Sequence, residues 1–155
     1  MIARSLLIAA TLLLVSPAWA QQKVNITADQ FTIDETTRQA VFTGNVVVTH
    51  PTVTVHAPKV VAFYGEGGTS DIESFEATAD EATPTVQLVT VDQTATGEKA
   101  VFTPADQLLR LTGNVIVVNA GGTVASNELV VNLDTNVSTF TATEGGRVTG
   151  VFTSQ

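Results

Sequence analysis

The tetrapeptide Thr43-Gly44-Asn45-Val46 recurs as Thr112-Gly113-Asn114-Val115, 69 residues further along the chain. Both copies sit between mainly apolar runs, Val41-Phe42 and Val47-Val48 in the first, Leu109-Arg110-Leu111 and Ile116-Val117 in the second. The same offset sets Thr54-Val55 on Thr123-Val124 and Val60-Val61 on Leu129-Val130, so the match continues for about twenty residues. A glycine inside such a run needs no side-chain room and permits positive φ, so a strand can bulge there and continue. The chain is therefore expected to contain a duplicated β unit that turns in the same way twice.

Met1 to Ala20 precede this repeat, with Arg4 ahead of an apolar run from Leu6 to Val15, then Ser16-Pro17 and Ala18-Trp19-Ala20. That order matches a secretory signal with a small-x-small cleavage site after Ala20. The apolar run is short of the roughly 20 residues that a membrane-crossing helix needs. Residues 21–155 then form one domain, long enough to bury about two-thirds of its unfolded surface. The chain has no Cys, so an oxidising compartment would supply no disulfide, and stability must come from packing and strand pairing. After removal of the signal, six Lys and Arg face fifteen Asp and Glu, a net charge of −9. Nucleic acid is excluded as a partner, because nothing in this composition neutralises a row of phosphates.

Residues 21–155 contain 24 Thr and 22 Val, a bias that favours strands over helices. Strand-like runs recur every eight to twelve residues. In the first half they are Val24 to Thr27, Gln30 to Asp34, Arg38 to Thr43, Asn45 to His50, Val53 to Ala57, Lys59 to Tyr64, Ile72 to Ala77 and Thr85 to Val91. In the second they are Lys99 to Thr103, Gln107 to Thr112, Asn114 to Asn119, Thr123 to Ser126, Glu128 to Leu133, Asn136 to Ala142 and Arg147 to Phe152. Turn chemistry separates them, as at His50-Pro51, Gly65-Glu66-Gly67-Gly68, Gly121-Gly122 and Gly145-Gly146. The fold class is all-β.

Alternation with period two assigns the faces. Phe42, Val46 and Val48 share one face with Gly44, and Leu111, Val115 and Val117 share one with Gly113. By the same parity the inward set includes Val60, Ala62 and Tyr64, their counterparts Leu129, Val131 and Leu133, and also Val24, Ile26, Phe31, Ile33, Ala100 and Phe102. The runs Val46 to Val48 and Val115 to Val118 are apolar on both faces and are expected to lie deepest.

The order Ile26-Thr27-Ala28-Asp29-Gln30, Ala40 to Val48, and Val55-His56-Ala57-Pro58-Lys59-Val60-Val61 resembles the OstA-like family. The likeness extends from Val24 to Thr153 and takes in the second Leu111-Thr112-Gly113-Asn114-Val115 and the closing Phe140-Thr141-Ala142 and Gly146-Arg147-Val148. It implies an open, twisted antiparallel β-jelly roll built from the duplicated unit, with an apolar groove between its sheets. It further implies a periplasmic, non-enzymatic protein that takes lipopolysaccharide from the inner to the outer membrane by holding its acyl chains in that groove. The groove candidates are then Val24, Ile26, Phe31, Ile33, Phe42, Val46, Val48, Val60, Ala62, Phe102, Leu111, Val115, Val117, Leu129, Val131 and Leu133. The implied partners are further copies joined head to tail through Val24 to Thr27 and Arg147 to Phe152, an OstA-like protein anchored in the inner membrane, and the N-terminal domain of an outer-membrane barrel. Glu128 replaces Lys59 in the second copy and the net charge is strongly negative, so recognition is expected to fall on acyl chains rather than on lipid phosphates.

Other constellations point elsewhere with less support. His50 and His56 flank Pro51 without a third ligand of matching position, so no metal and no cofactor is expected, and both are read as solvated loop histidines. Asp71 with Glu73, and Asp80-Glu81, are paired carboxylates of the kind glycosidases use, but no aromatic residue accompanies them to stack a sugar. A structural or adhesive β-repeat protein that binds partners through its edge strands would carry the same duplication, and lipid binding separates the two readings.

Overall fold

The computed structural model describes residues 23–154, so the signal expected over residues 1–20 lies outside the described residues. The β-branched runs form twelve strands: β1 (Asn25–Thr27), β2 (Gln30–Asp34), β3 (Gln39–Thr49), β4 (Thr54–Tyr64), β5 (Ile72–Thr78), β6 (Val86–Val89), β7 (Gln93–Gly97), β8 (Lys99–Thr103), β9 (Leu108–Asn119), β10 (Gly122–Asn132), β11 (Val137–Thr141) and β12 (Thr149–Phe152). All are paired antiparallel in one continuous hydrogen-bonded array. One short 3-10 turn, Gly68–Ser70, interrupts the first half.

The duplication governs the whole topology. In the first unit β3 pairs with β1, β2 and β4, and β4 pairs with β5 and β6. In the second, β9 pairs with β7, β8 and β10, and β10 pairs with β11 and β12. Strands β1–β6 are thus reproduced by β7–β12, and β5·β8 and β6·β7 join the units. The register shifts between Thr43 and Val46 opposite Lys59 and Ala57, and again between Thr112 and Val115 opposite Glu128 and Ser126. Each shift is a bulge at Gly-Asn, with φ of 80° and 45° at Gly44 and Asn45 and of 84° and 47° at Gly113 and Asn114. The repeat reaches further than its sequence signal. Asn45 Nδ2 donates to Asp29 Oδ2 at 3.2 Å, and Asn114 Nδ2 donates to Glu98 Oε1 at 3.0 Å. Asp29 and Glu98 are themselves 69 residues apart.

These bulges are corners at which the long strands pass from one layer to another. Cross-strand partners then run as rows along the molecule. One layer carries the row Phe31, Phe42, Val60, Ala77, Ala100, Leu111, Leu129 and Phe140. Its margin carries Ile33, Ala40, Ala62, Phe75, Phe102, Leu109, Val131 and Ser138. The other layer carries Ile26, Val48, Val55, Leu88, Ala95, Val117, Val124 and Gly150. Residues of both layers meet in one buried cluster, so the inner rows face each other. The result is an antiparallel β-jelly roll with its spine at the two bulges and its lips at the margins. Leu111, Leu129, Val46, Val60, Val86 and Val115 are the most completely buried side chains, each contributing about 1.5–3 kcal/mol of apolar burial.

Three sequence expectations are corrected. The run at Val115 to Val118 buries one face only, since Ile116 and Val118 are 44% and 49% exposed on the outside, and in the run at Val46 to Val48 the outward Val47 is only half-buried. Thr85 to Val91 is a shorter strand, β6, followed by a turn at Thr90–Gln93 and by β7, which polar, small residues had hidden. The pairs of runs meeting at Gly44, Pro58, Gly113 and Asn127 are single strands, because a bulge redirects a strand without ending its pairing.

Candidate functional site

The space between the layers is an apolar trough of uneven width. Near the joint between the units it contracts to a cavity of about 40 Å³ lined by Val24, Val48, His50, Val53, Val55, Val60, Phe75, Ala77, Ala100, Phe102, Leu109 and Leu133. Toward the second unit it widens to about 700 Å³, with walls from Leu88, Ala95, Leu109, Leu129, Val131 and Leu133. Val53, Leu109 and Leu133 belong to both. The wide part opens beside the His50–Val53 turn, the Thr90–Gln93 turn and the start of β11, where Pro51, Thr52, Val91, Asp92, Asn136 and Ser138 form a mixed rim. A cavity of this size, apolar inside and polar at its mouth, has the character of a site for a hydrophobic ligand.

The turn between β3 and β4 supplies the trough's one buried imidazole among the described residues. His50 is 7% exposed, which corrects its reading as a solvated loop histidine. The backbone N–H of Thr52 donates to its Nδ1 at 3.3 Å, and Thr52 Oγ1 lies 3.1 Å from the same nitrogen. Its ring meets Phe102 edge to face at 5.7 Å, and Phe102 lies nearly parallel to Phe75 at 6.3 Å. Burial pushes the His50 pKa down, because the charged imidazolium would lose its hydration. His56 is exposed on the outside, so the two histidines do not converge.

The sixteen expected groove residues fall into four groups. Val24, Val48, Val60 and Phe102 line the narrow part, Leu129 and Val131 the wide part, and Leu133 both. Val46, Leu111, Val115 and Val117 are buried in the packed core toward the spine, with Ile26 and Phe42 against that core. Ala62 packs with Ala40 and Tyr64 in a second cluster. Phe31 and Ile33 share the inner rows but are 52% and 44% exposed, because β2 ends the layer and no further strand among the described residues pairs beyond it. Phe31 stacks on Phe42 at 4.6 Å.

The expected groove set lacked Val53, Val55, Leu88, Ala95 and Leu109, although Leu109 shares the parity of Leu111. The bulge changes the phase of β4, so Ala57 and Val60, three apart, both face inward, and counting by two from Val60 assigns Val55 to the wrong side. The 69-residue offset was a signal for one of them, since it places β7 on Val24 to Ala28 and Ala95 on Ile26. The acidic pair resolves into a local role. Asp71 accepts the Gly67 N–H at 3.3 Å and closes the turn before β5, and Glu73 is an exposed strand residue beside it.

Residues 25–137 match the model of the LptA/(LptD N-terminal domain) LPS transport protein family. The chain belongs to this family. An uncharacterized protein of Rhizobium meliloti (strain 1021) is 35% identical over 130 residues, which is 82% of this chain and 69% of that protein. LptH, described as the LptA-homologous periplasmic component of the lipopolysaccharide transport device of Pseudomonas aeruginosa, has a similar structure at a TM-score of 0.70 and 17% identity, covering 86% of this chain and 96% of the other. That likeness establishes the LptA-like jelly-roll fold. For a member of the LPS transport family, the apolar trough is the feature to be explained.

Proposed function

We propose that this protein carries lipopolysaccharide across the periplasm with acyl chains in the trough and the charged head group in water. The observation that carries this reading is the wide cavity, open at a polar rim and walled on its inner side by the apolar Leu88, Ala95, Leu129, Val131 and Leu133. Removing hydrocarbon from water is worth about 0.8 kcal/mol per methylene, so a chain of about a dozen carbons gains roughly 9 kcal/mol before the costs of binding. No catalysis is involved. The net charge of −9 after removal of residues 1–20 argues against a phosphate clamp and for recognition by the tails. In this reading residues 1–20 are a cleaved secretory signal and residues 21–155 form the transport domain.

The duplication also supports head-to-tail assembly. Within the chain, β5 and β6 of the first unit pair with β8 and β7 of the second. The equivalent strands at the ends, β11 and β12 on one side and β2 and β1 on the other, have open edges among the described residues. Repeating the internal joint between two copies sets Phe140 opposite Phe31 and Ser138 opposite Ile33, and covers the exposed Phe31, Ile33 and Phe152. A head-to-tail contact that does not close on itself builds a filament. The ends of such a bridge would meet an OstA-like protein of the inner membrane and the N-terminal domain of an outer-membrane barrel by the same edge pairing.

Purified protein mixed with fluorescent lipopolysaccharide should retain the label through gel filtration. Val131→Asp, in the wide cavity, should lose it with an unchanged circular dichroism spectrum, whereas Ile116→Asp on the outer face should keep it. Retention by folded Val131→Asp, or binding that follows the open edges alone, would favour an adhesive edge-binding protein instead.

A further inference from the structure

The wide part of the trough does not continue at full width through the chain. Val53, Leu109 and Leu133 stand between the cavity of about 700 Å³ and the neighbouring one of about 40 Å³. Phe102 stands immediately beyond, as the cross-strand neighbour of Leu109. It belongs to the margin of one layer, and His50 belongs to the turn on the opposite margin, so their edge-to-face contact at 5.7 Å spans the trough from lip to lip. Phe75, its partner on β5, backs the ring at 6.3 Å and 15°. Bulk is concentrated there: on the same row, the neighbouring strands β3 and β4 of the first unit carry the small Ala40 and Ala62.

We infer that Phe102 is the end stop of the hydrocarbon site and fixes the length of chain that one copy of the protein accepts. The inference rests on the acyl-chain reading above and adds a determinant of specificity to it. A chain entering through the wide mouth advances past Leu133 until its terminal methyl meets the Phe102 ring. Each methylene up to that point leaves water. Those beyond it stay in water or displace a ring held between His50 and Phe75.

Calorimetric titration of the purified protein with n-alkylphosphocholines, from octyl to hexadecyl and below their micellar concentrations, tests this. Affinity should rise about fourfold per methylene and then level off. Phe102→Ala should move the levelling point to chains longer by roughly three carbons, because truncating a packed ring leaves a cavity of its own. Phe102→Trp should move it to shorter chains, and Phe102→Leu should lengthen it slightly if the alanine variant does not fold. An affinity that never levels in the parent protein, or a levelling point shared by all folded variants, overturns the end stop while leaving the trough as the binding site. Absence of binding by every member of the series overturns the trough reading itself, and the end stop with it.

Discussion

Gly113→Ala should cost far more than an exposed strand substitution usually does, and the structure says why. Gly113 has φ of 84°, a left-handed conformation that costs an L-residue about 1–2 kcal/mol. An added Cβ would stand 2.5 Å from Glu98 Oε2, which can swing away, and 2.8 Å from Glu98 Cβ, which clears only if the backbone of the bulge also shifts. Swinging away gives up the bond from Asn114, worth about 0.5–1.5 kcal/mol at an exposed position. The total is about 1.5–3.5 kcal/mol, measured as a lower urea midpoint at unchanged m value. Glu98→Ala alone should cost about 1 kcal/mol, and the double variant should fall short of the sum by a similar amount, since one hydrogen bond is lost only once. Two internal controls accompany the experiment. Gly44→Ala against Asp29 should behave alike, because its Cβ would lie 2.6 Å from Asp29 Oδ2. Gly68→Ala, at φ of 72° with nothing within 4 Å, should show the conformational cost alone. A loss below about 0.5 kcal/mol for Gly113→Ala, or strict additivity with Glu98→Ala, would refute the carboxylate–Gly–Asn bulge as the duplicated determinant of the fold.

Three further outcomes follow from the packing. The depressed pKa of His50 means that the unfolded chain takes up the proton first as pH falls, so stability should be level above the ordinary histidine value of about 6.5 and decline below it. His50→Gln should flatten that slope in urea titrations between about pH 7 and 5, and an unaltered slope would assign it to another group. Leu129→Ala, at a side chain 2% exposed in the centre of the core, should lose about 2–5 kcal/mol, and a loss below about 1 would mean that the layers collapse around it. Deleting residues 147–155 removes β12 and should leave a folded monomer that no longer self-associates; an oligomer size unchanged by light scattering would place the joint elsewhere.

Much of this architecture was legible in the sequence because it is written twice. Thr-Gly-Asn-Val marks both corners, and Val and Thr at alternate positions mark the long strands on either side. What parity could not supply is the phase across a corner. Ala57 and Val60 both face inward because the bulge absorbs an odd number of residues, and the equivalent pair Ser126 and Leu129 does the same. The exposure of Phe31 and Ile33 was invisible for another reason: alternation reports which face a residue occupies, and only topology reports whether a second strand covers it. His50 looked like a loop residue by its neighbour Pro51, yet the turn carrying it folds over the trough. Asp29 and Glu98 share chemistry but not identity, so a motif search passed over the partners that make the Gly-Asn bulge specific.

The central claim concerns where a hydrocarbon tail sits. A photo-crosslinking amino acid placed at Leu133, in the wide part of the trough, should capture lipopolysaccharide on irradiation, whereas the same group at Ile116 on the outer face should not. Capture at Ile116 with none at Leu133, in protein shown to be folded, would contradict the account.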